Sequence, residues 1–289
     1  MTTPLTCGFI GLGAMGAPMA GHLAAKGLLA VVGNRTFAKA EALAAGLNIA
    51  AAQSPGDYAE CNAVFLCVSA DADVLDNVRA LAGVLKAGSI VVDHSTVARD
   101  TAISAAAILA ERGIGFIDAP VSGGVEGARN GRLSIMCGGE AALLETVRPA
   151  LECYAARISL MGVTGAGQAT KAVNQVMVAG INEAGCEARA LGAKLGRDAD
   201  TLRPTLGSGA AANWFLDKRG ATMLRGEFVP GFKCAHMLKD LHIASATATS
   251  AGVAHPATMQ ALADYNTLVE EGFGDADTSA LIALKLSGD

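Results

Sequence analysis

A chain of 289 residues that is 52% hydrophobic and 17% charged can bury a sizeable core as one large domain or two, and two is the expectation. A formal net charge of −5, with no cluster of Lys and Arg, argues against nucleic acid as a ligand, because phosphate backbones demand concentrated positive charge. No apolar run approaches the roughly 20 residues that span a bilayer, and MTTPLT runs straight into a strand with no basic leader, so a cytoplasmic protein with a small-molecule partner and no membrane partner is expected.

The first strand-like run, CGFI, is followed by Gly11, Leu12, Gly13, Ala14, Met15 and Gly16, and then by a helical run to Lys26. Strand, Gly-x-Gly-x-x-Gly and helix in that order form a dinucleotide site. Gly11 allows the tight turn, Gly13 admits a pyrophosphate to the backbone, and Gly16 lets helix and strand pack closely. The helix start offers unpaired N–H groups to phosphate. The second strand, LAVVG, ends at Asn34, Arg35 and Thr36, where an NAD site usually carries a carboxylate for the ribose hydroxyls. Here Arg35 can instead grip a 2′-phosphate, with Asn34 and Thr36 adding hydrogen bonds, so NADP is the expected cofactor and NAD the second choice. Alternatively, Arg35 is a solvated charge or stacks on adenine, and Thr36 caps the next helix.

Further strand-like runs, AVFLCV, SIVVD, GIGFIDA, LSIMCGG and ARISL, alternate with alanine-rich helical stretches to about Leu160. That alternation predicts a doubly wound parallel sheet of the Rossmann type. Beyond Gly162 the pattern becomes helical: one long helix over Gln168 to Leu195, then shorter ones divided by Gly207 to Gly209, Pro230-Gly231, Gly252 with Pro256, and Gly272 with Gly274. The predicted domains are an α/β NADP-binding domain over 1–162 and an all-α substrate and oligomerisation domain over 163–289, joined by the long helix. Seven cysteines without a Cys-x-x-Cys pair read as reduced core residues, and five histidines without ligand spacing predict no metal site.

Ligands of an open α/β sheet bind beyond the carboxyl ends of its strands. Val68 and Ser69, then His94, Ser95 and Thr96, and then Ala119 to Gly124 occupy such places. In the last, Ser122, Gly123 and Gly124 offer a hydroxyl and open backbone N–H groups, which suit a substrate carboxylate. The long helix opens with GAGQATKAVNQ, whose Lys171, Asn174 and Gln175 share one face. A lysine among small and apolar neighbours can deliver a proton to a carbonyl oxygen as charge develops there.

Four ordered motifs, GFIGLGAMGAPMAGHL at Gly8 to Leu23, DAPVSGG at Asp118 to Gly124, GAGQATKAVNQ at Gly165 to Gln175 and PGFKCAHMLKDL at Pro230 to Leu241, resemble those of the β-hydroxyacid dehydrogenases over nearly the whole chain. That family includes 3-hydroxyisobutyrate dehydrogenases and the tartronate, glyoxylate and succinic semialdehyde reductases, with 6-phosphogluconate dehydrogenase more distant. The resemblance implies an oxidoreductase in which Lys171 is the general acid and base, Ser122, Gly123 and Gly124 hold the substrate carboxylate, and Thr96 lies near nicotinamide and substrate. It implies Asn174 as a polar contact, Lys239 as a cofactor contact, and Phe232 and Asp240 as pocket positions, which otherwise read as a core aromatic and a surface acid. Asn174-Gln175 replaces the pair of asparagines common in relatives, and Ser69 stands where relatives often have proline. Trp214 shapes the pocket or sits in the core. The expected reaction is NADPH-dependent reduction of a small carboxylate-bearing aldehyde or keto acid, with an NAD-dependent 3-hydroxyisobutyrate dehydrogenase as the alternative. An imine reductase or a non-catalytic NADP-binding module fits less well, because Lys171 is present. A homodimer or homotetramer is expected from the helical half.

Overall fold

The computed structural model describes residues 4–287. The chain divides into two compact units between Lys171 and Ala172. The first begins with β1 (Cys7–Ile10), α1 (Gly16–Ala25), β2 (Leu29–Gly33), α2 (Phe37–Leu47), β3 (Ala50–Ala51), β4 (Ala63–Leu66), α3 (Asp71–Ala82), β5 (Ile90–Asp93), α4 (Arg99–Ala110) and β6 (Gly115–Asp118). It continues with β7 (Val121–Ser122), α5 (Gly124–Arg129), β8 (Leu133–Gly138), α6 (Ala141–Leu151) and β9 (Ala155–Gly162). The strands form one sheet in the order β3-β2-β1-β4-β5-β6-β8-β7, with β9 on β8.

Helices cover both faces of this sheet, so its inner strands are apolar up to the acids that end β5 and β6; every residue of β4 and β5 is buried. Alternation along β4 sends Phe65 into a core with Phe9, Met19, Leu23, Val92 and Tyr154, and sends Val64 and Leu66 into a second core with Val74, Val78, Leu109 and Phe116. Strand order reverses at β1, which lies between β2 and β4. That reversal opens a crevice beyond the carboxyl ends of β1 and β4, where GLGAMG sits.

The sheet departs from the all-parallel expectation in one place. From β1 to β6 it is parallel, but β8 runs antiparallel to both β6 and β7, and β9 returns parallel to β8. The connection from β6 to β8, residues 119–132, carries β7 and the short α5 and returns the chain in the opposite direction. Strands β3 and β7, of two residues each, are too short to show periodicity in the sequence.

The second unit holds most of α7 (Ala166–Lys194), then α8 (Ala199–Gly207), α9 (Trp214–Arg219), α10 (Cys234–Ser250), α11 (Pro256–Glu270) and α12 (Ile282–Leu286). Its core contains Phe215, Met223, Met237, Leu241, Tyr265 and Leu268. The first unit runs on to Lys171, beyond the expected boundary at 162, because Asp118 at the end of β6 accepts the N–H groups of Gly165 and Gln168 and ties the first turn of α7 to the sheet.

Candidate active site

The glycine turn is fixed by close approach. Gly11 has φ +98°, and a Cβ there would lie 2.2 Å from the Cys67 carbonyl oxygen; one on Gly16 would lie 1.8 Å from the Gly11 oxygen. Gly13 differs, because a Cβ there would meet no protein atom within 4 Å. Its bare backbone faces the open cleft, as a pyrophosphate cradle requires. The first turn of α1 carries no acidic residue and no side-chain cap, which leaves its N–H groups and dipole for an anion. These features fit a dinucleotide.

The cleft has a volume of 570 Å³ and is lined by, among others, Gly11, Gly13, Asn34, Arg35, Val68 and Ser69. Leu12, Ala14 and Met15 complete the turn between Gly11 and Gly16, and Leu12 N–H donates to Asn34 Oδ1 at 3.0 Å. Asn34 Nδ2 donates to the Thr36 carbonyl at 3.2 Å, so this amide, besides lining the cleft, fastens the glycine turn to the end of β2. Thr36 is the N-cap residue of α2 and makes no side-chain cap bond. Arg35 is 87% exposed, with its Nη1 at 3.4 Å from Asp73 Oδ1. Lys39 and Asp73 also line the cleft; neither was singled out in the sequence.

At the next strand ends, Val68 N–H donates to Ser95 Oγ at 2.9 Å, while Thr96 is half-buried. His94 turns away from the cleft. Its ring bonds the Ala119 carbonyl at 2.7 Å and the Tyr154 hydroxyl at 2.8 Å, and burial pushes its pKa down to about 4. It is a neutral core histidine stacked on Phe65.

Ser122, the last residue of β7, pairs with Ser134 of β8. Gly123 follows at φ +127°, a conformation that strains any side chain, and Gly124 opens α5. Lys171 is only 7% exposed, and its Nζ donates to the Val121 carbonyl at 3.0 Å. The structure therefore brings the lysine to the residue preceding Ser122, fifty positions away in sequence. Two further groups hold this arrangement and were not assigned a role from sequence. Asp118 Oδ1 accepts from Gly165 N–H at 2.7 Å and its Oδ2 from Gln168 N–H at 2.9 Å. Burial raises the Asp118 pKa to about 6, against the opposing pull of those N–H groups. Gln168 Nε2 donates to the Ser95 carbonyl at 2.8 Å, and its Oε1 accepts from Val97 N–H at 3.2 Å.

In the second unit, Asn174 Nδ2 donates to Gln175 Oε1 at 2.8 Å, Gln175 Nε2 donates to Asp240 Oδ2 at 2.6 Å, and Lys239 Nζ lies 3.0 Å from Asp240 Oδ1. Asp240 is 3% exposed, which overturns its reading as a surface acid. Gln175 thus spends its amide on an internal chain that links α7 to α10. Phe232 is half-buried against the helical core. Asp277 accepts the N–H groups of Gly231 and Phe232 and pairs with Arg219 at 3.0 Å, so it sets the backbone that carries Phe232. Trp214 is 49% exposed with the Arg219 guanidinium 5.3 Å from its ring centre, which rules out the core reading. Among the described residues, no group of three metal-ligating side chains comes together, and no helix is long and apolar enough to cross a membrane.

Residues 6–162 match the family model described as the NAD binding domain of 6-phosphogluconate dehydrogenase, and residues 165–285 the one described as NAD-binding of NADP-dependent 3-hydroxyisobutyrate dehydrogenase. The 2-hydroxy-3-oxopropionate reductase of Escherichia coli is 37% identical over 286 residues, covering 96% of this chain and 97% of its own. Glyoxylate/succinic semialdehyde reductase 1 of Arabidopsis thaliana is 30% identical over 97% of this chain and 98% of its own. A Mycobacterium tuberculosis 3-hydroxyisobutyrate dehydrogenase, solved with L-serine, superposes with a TM-score of 0.88 at 30% identity, covering 98% of this chain and 99% of that one. Two family models in tandem over almost the entire length, on a sheet whose crevice fits a dinucleotide, make the chain a member of the β-hydroxyacid dehydrogenase family, the NAD(P)-dependent oxidoreductases that act on CH–OH groups.

Proposed function

We propose that this protein is an NADPH-dependent reductase of a small aldehyde or keto acid bearing a carboxylate, running also in the direction of alcohol oxidation. Tartronate semialdehyde, glyoxylate and succinic semialdehyde are the candidate substrates. The observation that carries the reading is the buried Lys171 ammonium, 3.0 Å from the Val121 carbonyl at the edge of the Ser122-Gly123-Gly124 loop. The reduced nicotinamide, when bound, supplies the hydride. Lys171 gives a proton to the carbonyl oxygen as negative charge develops on it, and takes the hydroxyl proton in the reverse direction. The Val121 carbonyl keeps the ammonium turned to this task, while Ser122 and the backbone of Gly123 and Gly124 hold the substrate carboxylate. Thr96, Asn174, Phe232 and Asp240 are the further substrate-side positions, and Lys239 a cofactor contact.

For NADP speak the missing carboxylate at the end of β2 and the two cations, Arg35 and Lys39, that line the cleft. Asp73 beside Arg35 gives the NAD-linked reading its one specific support, since a carboxylate there can offset the pull on a 2′-phosphate. We further assign the protein to the cytoplasm, in keeping with its seven free cysteines, and to a homodimer or homotetramer.

Purified protein is assayed with NADPH and NADH against the three aldehydes and methylmalonate semialdehyde, beside Lys171→Ala. Turnover with NADPH that falls roughly 100- to 10,000-fold in Lys171→Ala is the expected result. Preference for NADH overturns the reading of Arg35, and undiminished turnover by Lys171→Ala overturns that of the lysine.

A further inference from the structure

The end of β6 and the start of α7 meet more closely than packing alone requires. A Cβ on Gly138 would lie 2.5 Å from Asp118 Oδ1, and one on Gly167 would lie 2.6 Å from the Asp118 carbonyl oxygen and 2.8 Å from Oδ2. Two glycines thus clear room for one wholly buried carboxylate, whose two oxygens separately take the N–H groups of Gly165 and Gln168. A helix leaves its first N–H groups unsatisfied, and a local side chain can take them. In α8 and α9 that is what happens, through Asp198 and Asn213 at the helix starts. The start of α7 is held instead from a strand 47 residues earlier. Gln168 adds a second tie, with its amide bonded to Ser95 and Val97 beyond β5.

We propose that Asp118, with Gln168, is a positioning residue that sets the register and direction of the first turn of α7, so that the Lys171 ammonium is presented at the Val121 carbonyl. Val121 lies three residues beyond Asp118, and Lys171 three residues beyond Gln168. One carboxylate therefore fixes both the lysine's helix and the strand end that the lysine meets. A displacement of about 1 Å at a reacting group costs on the order of 100-fold in rate, which gives such a clamp its function. This inference rests on Lys171 being the proton donor.

The test is a double-mutant cycle in steady-state kinetics with NADPH and the best aldehyde of the panel. In Asp118→Asn the amide turns a donor toward an N–H donor and one of the two bonds is lost. The expected result is a roughly 10- to 100-fold lower kcat, with the aldehyde KM and the NADPH dissociation constant within about threefold of wild type. In the Lys171→Ala background, the same substitution is expected to lower kcat no further. A carboxylate that served only the fold would lower kcat by the same factor in both backgrounds, and that outcome overturns the proposal. A kcat within twofold of wild type in Asp118→Asn, with Lys171→Ala inactive, also overturns it while leaving the lysine's role standing. Undiminished Lys171→Ala removes the reading on which it rests. Should Asp118→Asn not fold, Gln168→Met keeps the carboxylate and loses the second tie. There a several-fold drop in kcat that vanishes in Lys171→Ala supports the clamp, and wild-type kcat overturns it.

Discussion

At the residue scale, the three glycines of the turn separate folding from binding. A Cβ on Gly16 would collide with the backbone of Gly11, whereas one on Gly13 meets nothing of the protein. Gly13→Ala should therefore keep the wild-type melting temperature while weakening NADPH binding at least tenfold by fluorescence titration, and Gly16→Ala should lower the melting temperature itself. His94 makes a second prediction. Its pKa is depressed from 6.5 to about 4 by burial, so the unfolded chain binds a proton that the folded chain refuses between those values. The stability this neutral ring contributes is complete above pH 6.5 and is lost as pH falls toward 4, a change of about 3 kcal/mol. Denaturant unfolding of His94→Gln and wild type, compared from pH 7 to 4, should show the advantage of wild type shrinking on acidification. Asp118, raised to about 6, has the opposite linkage between its ordinary value of 3.8 and 6 and is common to both proteins, so the difference isolates the histidine. The glycine turn was legible in the sequence because the strand end and all three glycines lie within ten consecutive residues, although the Cys67 carbonyl that crowds Gly11 does not. The roles of Asp118 and Gln168 were not, since their partners stand 47 to 73 positions away.

Among the elements, the long strands and the long helix were legible and the short ones were not. Burial on both faces writes β4 as an unbroken apolar run and β5 as one broken only by its terminal Asp93, and the proline-free stretch after Gly167 marks α7 to within two residues of each end. Strands β3 and β7 carry no period to read, and β7 is the one that brings Val121 to Lys171. The tertiary ties of the helical unit were equally hidden. Lys285 on α12 reaches Glu183 on α7 at 2.7 Å and also bonds Asp264 on α11, joining three helices by side chains far apart in sequence. The Lys285 and Glu183 side chains are only 15% and 11% exposed, so removing the cation strands a buried carboxylate. Lys285→Met should cost about 3 kcal/mol in denaturant unfolding of the whole chain. A loss no larger than that of an exposed pair, under 1 kcal/mol, would show that the three helices hold together without it.

At the scale of the whole molecule, α7 carries an apolar stripe that the chain itself leaves uncovered. Val173, Met177 and Leu191 on α7 and Leu195 just after it are each about 60% exposed or more. At 100° per residue they fall within a band about 40° wide, with Gly180 and Ala184 in the gap between. Large apolar groups flanking small ones allow a second helix to approach closely, which is how helices of separate chains interdigitate. Isolated exposed hydrophobics need no explanation, but three in one line along a single helix and a fourth continuing that line do. A second copy of the chain, laid antiparallel on this stripe, would bury it on both protomers at once, because a two-fold interface uses the same patch twice. Met177→Glu and Leu191→Glu place charges in that patch without touching the core of the helical unit. Wild type is expected to sediment as an oligomer and each variant as monomer in sedimentation velocity, while the far-ultraviolet circular dichroism stays unchanged. An oligomer that survives both substitutions would move the interface away from α7, and a monomeric wild type would mean that the stripe stays exposed.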